Sequence, residues 1–171
     1  FLRTVGANAR LALSGSPVCA RSLSMVKLEL ATSIQVVDDP EQGWSRFYAE
    51  VRRISDVLKG LEVSETGETV PRLYLIDEML SGTNSRERRL ACRDIVRKMV
   101  RATQSFGLVT THDLDLVDLS DELAGQVMCY HFSDQFDGER LHFDYRLREG
   151  VAQTTNALHV LRMEGIDVEE S

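Results

Sequence analysis

Apolar positions along the chain alternate between helical spacing and short uninterrupted runs. In residues 1–13, Leu2, Val5, Ala9 and Ala12 recur at helical spacing, and Ser14-Gly15-Ser16-Pro17 then breaks the pattern. Residues 24–37 mix apolar and polar positions as one or two strands would, before the acidic loop 38–43. Ser45 can cap a helix running to about Lys59, with Phe47, Val51, Ile54 and Leu58 on one face. Residues 62–69 are polar and read as a loop tip. The run Arg72-Leu73-Tyr74-Leu75-Ile76-Asp77 has the continuous apolar character of a strand buried on both faces. A helix follows over residues 85–103, with Cys92, Ile95, Val96, Met99 and Thr103 inward, and then a second buried strand over 106–110. Strands at 127–132 and 141–147 are expected to pair around the turn signal Asp137-Gly138. A last helix spans 154–164 and stops at Gly165. Strands alternating with helices predict an α/β class, with a mostly parallel sheet flanked by helices and a late antiparallel hairpin.

Composition narrows the function classes. The 171 residues are 43% hydrophobic and 27% charged, as in an ordinary globular domain. The net charge of −7 argues against a dedicated DNA-coating surface, which needs a basic face. No apolar run approaches the roughly 20 residues that span a bilayer, so no membrane association is expected. The opening FLRTVGANARLAL reads as a helix rather than a targeting peptide. Cys19, Cys92 and Cys129 are odd in number and form no CxxC pair. They are expected to be buried, reduced thiols of a cytoplasmic protein rather than a zinc site or disulfide framework.

Chemistry concentrates at the ends of the two buried strands. Four apolar residues followed by Asp77-Glu78 form a Walker B pattern. In such a pattern the strand fixes both carboxylates, Asp77 is placed to hold Mg²⁺ mostly through water, and Glu78 to orient an attacking water. The turn Gly82-Thr83-Asn84-Ser85 enters the next helix, and the second strand ends in Thr110-Thr111-His112-Asp113. Parallel strands deliver their C-terminal ends to one edge, so His112 is expected beside Glu78. Ser45, with the free N–H groups of its helix, is a candidate anion site as well as an ordinary cap. The arginines at 86, 89, 93, 97 and 101 form one stripe, read as a solvated face or docking surface rather than a DNA contact.

The order of these motifs resembles the MutS family of mismatch-repair ATPases. Ser45-x-Phe47-x-x-Glu50 matches its signature region, Leu73 through Glu78 its Walker B, Ser81-Gly82-Thr83-Asn84 its D-loop, and Thr110-Thr111-His112 its H-loop. The tail GVAQTTNALHVLRMEGI resembles its closing helix, so the likeness covers essentially the whole chain. The resemblance implies one P-loop NTPase-like, ABC-type ATPase domain over residues 1–171, with ATP and Mg²⁺ as ligands. It implies catalytic roles for Glu78 and His112, and nucleotide contacts by Asp77, Ser45, Gly82, Thr83 and Asn84. A second MutS-like subunit is the implied partner: Ser45 would meet the γ-phosphate bound there, and Asn84 would cross the interface. DNA would be held by domains outside this segment, its clamp coupled to the ATP state. Phe1-Leu2-Arg3 resembles the residues that follow the family's Walker A, and no GxxxxGK[ST] occurs in the chain. The chain is therefore expected to be the part of the domain after Walker A, truncated at its N-terminus and inactive by itself. Arg46 in the signature, Ser-Gly-Thr-Asn in the D-loop, Asp113 after the histidine and the 62–69 insertion depart from the usual pattern and imply a divergent, shorter branch. Two alternatives stand beside this reading: an SMC-like or transporter-type ABC domain, and a non-catalytic dimerisation module with an ABC-like fold.

Overall fold

A computed structural model of the chain describes residues 1–34, 45–61, 70–80, 84–123, 125–137, 140–152, 161 and 165. These residues form two compact units, Phe1–Leu116 and Val117–Ser171.

The first unit is built on a three-stranded parallel sheet, β1 (Glu29–Ser33), β2 (Arg72–Asp77) and β3 (Ser105–Thr110), in the order β1-β2-β3. Helix α1 (Leu2–Leu13) precedes β1, α2 (Arg46–Gly60) joins β1 to β2, and α3 (Ser85–Arg101) joins β2 to β3. Helix α2 packs against β1 and α3 against β3. Helix α1 packs against β1 and β2, where Leu2 and Ala9 form one buried cluster with Leu28, Leu73 and Leu75. Leu75 and Ile76 are fully buried, as expected of a central parallel strand covered on both sides.

The strand limits predicted for β2 are those observed. Strand β3 begins one residue earlier than expected and is not the buried strand predicted, since at the edge of the order β1-β2-β3 its Phe106 is exposed and its other residues are half-buried. Of the predicted strands in residues 24–37, β1 is observed, and 35–37 lie outside the described residues. Ser45 does cap α2, accepting a 3.3 Å hydrogen bond from the Tyr48 amide. The buried face of α2, however, is Glu50, Ile54 and Val57, while Phe47 and Val51 are exposed. The apolar spacing thus placed the inward face one position too far round, because it could not count a buried acid as inward. Likewise α3 ends at Arg101, leaving Thr103 exposed, with Cys92 and Met99 as its most buried side chains. Burial of all three cysteines is also corrected: Cys92 is buried, Cys129 half-buried and Cys19 exposed.

The arginine stripe of α3 is solvated at its two ends, where Arg86 and Arg101 are exposed, while the three arginines between them also make contacts within the unit. Arg89 binds the Asp115 carboxylate at 2.5 Å, Arg93 donates to the Asp115 carbonyl at 3.1 Å, and Arg97 pairs with Asp94. Arg89, Arg93 and Arg97 are half-buried, and the first two tie α3 to the chain just beyond His112.

The second unit holds α4 (Asp118–Glu122) and two antiparallel pairs. Strand β5 (Asp134–Asp137) pairs with β6 (Arg140–Phe143), and β4 (Tyr130–His131) pairs with β7 (Arg148–Glu149); Gly138 of the predicted turn lies outside the described residues. The predicted partnership of 127–132 with 141–147 is therefore displaced. Asp144 accepts from the Arg146 amide and binds the Arg148 guanidinium, and Tyr145 adopts φ 55°, so the chain turns out of strand geometry there. That guanidinium beside Asp144 lowers its carboxyl to about 2. The closing helix predicted over 154–164 lies outside the described residues except for Leu161, which is helical.

Gly107 of β3 sits opposite Tyr74 of β2, and a Cβ there would lie 2.2 Å from both the Tyr74 ring and the Tyr74 carbonyl oxygen. Gly107→Ala is expected to destabilise the chain by about 1–3 kcal/mol, the usual cost of overpacking. Urea unfolding checks this; an unchanged midpoint would mean that the ring does not cover Gly107.

Candidate functional site

All three strands point the same way, so their C-terminal ends share one rim. The register pairs Ile76 with Val109 and Asp77 with Thr110. Two side chains then meet across the rim: the Thr110 hydroxyl donates to Asp77 Oδ1 at 2.6 Å. The Glu78 amide donates to Thr110 Oγ1 at 3.1 Å and to the Thr110 carbonyl at 3.2 Å. One threonine thus orients the first carboxylate and the backbone of the second.

Beyond the strand ends, His112 Nε2 lies 2.6 Å from Glu78 Oε1. The side chains of His112 and Glu78 are 88% and 48% exposed. A contact this exposed adds only about 0–1 kcal/mol to stability, so it is better understood as a reachable acid–imidazole pair than as a structural tie. The expectation that His112 stands beside Glu78 holds.

The chain turns sharply after β2. Glu78 and Leu80 have φ of 50° and 56°, in the left-handed region that side-chain-bearing residues avoid. Three elements hold this turn. Thr110 of β3 takes the Glu78 amide, Cys92 of α3 donates its thiol to the Met79 carbonyl at 3.6 Å, and Glu50 of α2 accepts the Leu80 amide at 2.5 Å. Burial pushes the Cys92 thiol up to about 11.

The remaining candidates sit at helix starts. Ser45 is the exposed cap of α2, and Asn84 caps α3, accepting from the Arg86 amide at 3.1 Å. Gly82 and Thr83 lie outside the described residues. Sequence reasoning missed Thr110 as a linking residue and Glu50 as an inward one. Thr110 was legible only as a neighbour of His112, because the register that sets it against Asp77 is a tertiary fact.

Comparison with known proteins adds the family. Residues 1–169 match the model of MutS domain V. The chain belongs to the MutS family. Its α/β core is accordingly of the P-loop ATPase class, with the parallel sheet described above. The domain is 26% identical over 167 residues to the DNA mismatch repair protein MutS of Natronomonas pharaonis, covering 97% of this chain and 19% of that protein. It is 28% identical over 170 residues to the DNA mismatch repair protein msh3 of Aspergillus fumigatus, covering 95% and 14%. With the DNA mismatch repair protein MSH3 of Chaetomium globosum it shares 25% over 183 residues, covering 95% and 15%. This MutS domain therefore spans a fifth or less of the length of these relatives. Among its described residues, no helix is long and apolar enough to cross a membrane.

Thr110→Val keeps the shape and removes the hydroxyl that serves Asp77 and Glu78. A loss of about 1–3 kcal/mol is expected from the unsatisfied groups, read by urea unfolding; equal stability would mean that water replaces the hydroxyl freely. At pH 8 a thiol at about 11 is roughly 0.1% thiolate. Exposed Cys19 should therefore react with a maleimide at least about 100-fold faster than Cys92 in the folded chain. Similar rates in urea and disparate rates in buffer are the expected pattern; equal rates in buffer would contradict the packing of Cys92 under Met79.

Proposed function

We propose that the rim carries the hydrolytic half of a nucleotide site, and that the protein containing this domain is a MutS-like ATPase of DNA mismatch repair or a related DNA-processing reaction. The reading is carried by the 2.6 Å approach of His112 to Glu78 at the mouth of a parallel sheet, directly beside Asp77. Membership of the MutS family and relatives named as DNA mismatch repair proteins support it.

In this reading Glu78 orients the attacking water and takes its proton, and His112 lies within reach of both Glu78 and the terminal phosphate. Thr110 keeps Asp77 and the Glu78 backbone in fixed relation throughout. The carboxylates are hard oxygen donors of the kind Mg²⁺ takes, and Asp77 would hold the ion, mostly through water. When bound, the ion neutralises charge on the β- and γ-phosphates. Ser45, with the exposed start of α2, would meet the γ-phosphate held by a second MutS-like subunit. Gly82, Thr83 and Asn84 would lie along the contact between the two. The dimer's ATP state would then be coupled to a DNA clamp formed by other domains.

The 171 residues contain no GxxxxGK[ST], so the lysine and glycine-loop amides that cradle phosphates have to come from another segment. The test therefore uses the natural gene product that contains this domain. Glu78→Gln should lower the steady-state rate of Mg-ATP hydrolysis by about 10²–10⁴-fold while Mg-ATP binding, measured with a fluorescent analogue, persists. His112→Ala should also slow hydrolysis. A Glu78→Gln protein turning over at the wild-type rate would remove the hydrolytic assignment and favour a non-catalytic role for the domain.

A further inference from the structure

Glu50 is an anomaly in the packing of α2. It is 4% exposed on a line otherwise made by Ile54 and Val57. A buried carboxyl group is costly unless it is hydrogen-bonded, and an aliphatic side chain would fill the same inward position without that cost. What Glu50 does there is specific: Oε1 accepts the Leu80 amide at 2.5 Å. Leu80 is one of the two left-handed residues of the turn that carries Glu78. Neither is Gly or Asn, so the turn has no help from local preference and depends on contacts from outside. The Glu78 end is fixed by Thr110 and the middle by Cys92. Glu50 closes the far end.

We propose that Glu50 is a positioning residue for Glu78: from α2 its carboxyl oxygen holds the Leu80 amide and so locks the left-handed turn that aims the Glu78 carboxylate. The proposal rests on the reading of Glu78 as the group that orients water. Glu50 touches neither reacting atoms nor nucleotide. Its contribution is to the orientation of Glu78, so its loss should slow turnover and leave nucleotide affinity alone. The requirement is for an acceptor at the right reach rather than for a charge, so Gln should serve in its place.

The test compares Glu50→Leu, Glu50→Gln and Glu50→Asp in the natural gene product. Glu50→Leu should lower kcat for Mg-ATP hydrolysis at least about tenfold with KM within about threefold of wild type. Glu50→Gln, keeping the reach, should stay within about threefold of wild type in both. In a Glu78→Gln background, Glu50→Leu should cause no further loss, since two residues acting as one unit are not additive. Should Glu50→Leu fail to fold by near-ultraviolet circular dichroism, Glu50→Asp takes its place: one methylene shorter, it should show the same kcat loss at unchanged KM. A folded Leu or Asp variant with wild-type kcat overturns the proposal. So does a fall in kcat matched by a rise in KM, or a Gln variant as impaired as the Leu variant.

Amide hydrogen exchange at Leu80, read on the same proteins, separates this proposal from the reading beneath it. The amide should be protected in wild type and Glu50→Gln, and exchange at least about tenfold faster once the acceptor is lost. Fast exchange in the wild type overturns the contact itself. Protection that follows Glu50, together with a Glu78→Gln protein hydrolysing at the wild-type rate, would instead locate the error in the role of Glu78, and the positioning role would fall with it.

Discussion

The parallel pairing of β2 with β3, with Asp77 opposite Thr110, is the constraint from which the site follows. Side chains alternate along a strand, so a slip of one residue would turn the Thr110 hydroxyl away from Asp77 and free the Glu78 amide. The register is pinned three residues earlier, where Tyr74 lies against Gly107 and no side chain can be accommodated on β3. A packing contact deep in the sheet thereby fixes a polar contact at its rim. His112, two residues past the end of β3, inherits its place beside Glu78 from the same register. The chemistry at the rim is in this sense a property of the sheet, and the loops only complete it.

What was legible in the sequence follows from that division. The runs RLYLID and FGLVT announce strands because they are short, apolar and bounded by polar residues, but only the first is buried: β3 lies at the edge of the sheet order, and its residues are half-buried or exposed. Their acids and histidine could be assigned to one rim because parallel strands leave no other choice. Ser45 and Asn84 were legible as helix starts because capping is local chemistry. The rest depended on partners distant in sequence. Apolar spacing found only part of the inward face of α2, Ile54, since the first buried member of that face is Glu50, whose amide donor Leu80 is thirty residues away. The contacts of Arg89 and Arg93 within the stripe of α3 were not legible because their acceptor, Asp115, belongs to a different element. The arms of the late hairpin were misjudged because a local bond from Arg146 to Asp144 competes with the ladder, a balance that strand propensity does not register.

Several charges of the first unit are paired within it. Arg89 and Arg93 of α3 meet the carboxylate and carbonyl of Asp115, and Arg72 at the start of β2 meets Glu29 at the start of β1. These exposed or half-exposed pairs contribute little stability one by one. Their value is geometric: Asp115 lies three residues beyond His112, so its two arginine contacts limit how far the segment carrying the imidazole can drift from the strand end. Two members of the basic stripe on α3, Arg89 and Arg93, thus support the segment beyond the rim of their own sheet.

The turn after β2 shows how this unit sustains an unfavourable backbone. Two left-handed residues cost on the order of 1–2 kcal/mol each. Each hydrogen bond to the turn contributes about 1 kcal/mol net. Contacts from β3, α3 and α2 can therefore offset the strain, but no one of them can do so alone. Glycine at position 80 would relieve the strain and require fewer anchors, yet it would also leave the backbone free to leave the conformation that presents Glu78. A strained turn clamped from three sides has a single arrangement, whereas a relaxed one has several. The orientation of Glu78 is then shared among three packed elements, and any change that shifts α2 or α3 relative to the sheet is felt at the carboxylate through backbone contacts rather than through the site's own side chains.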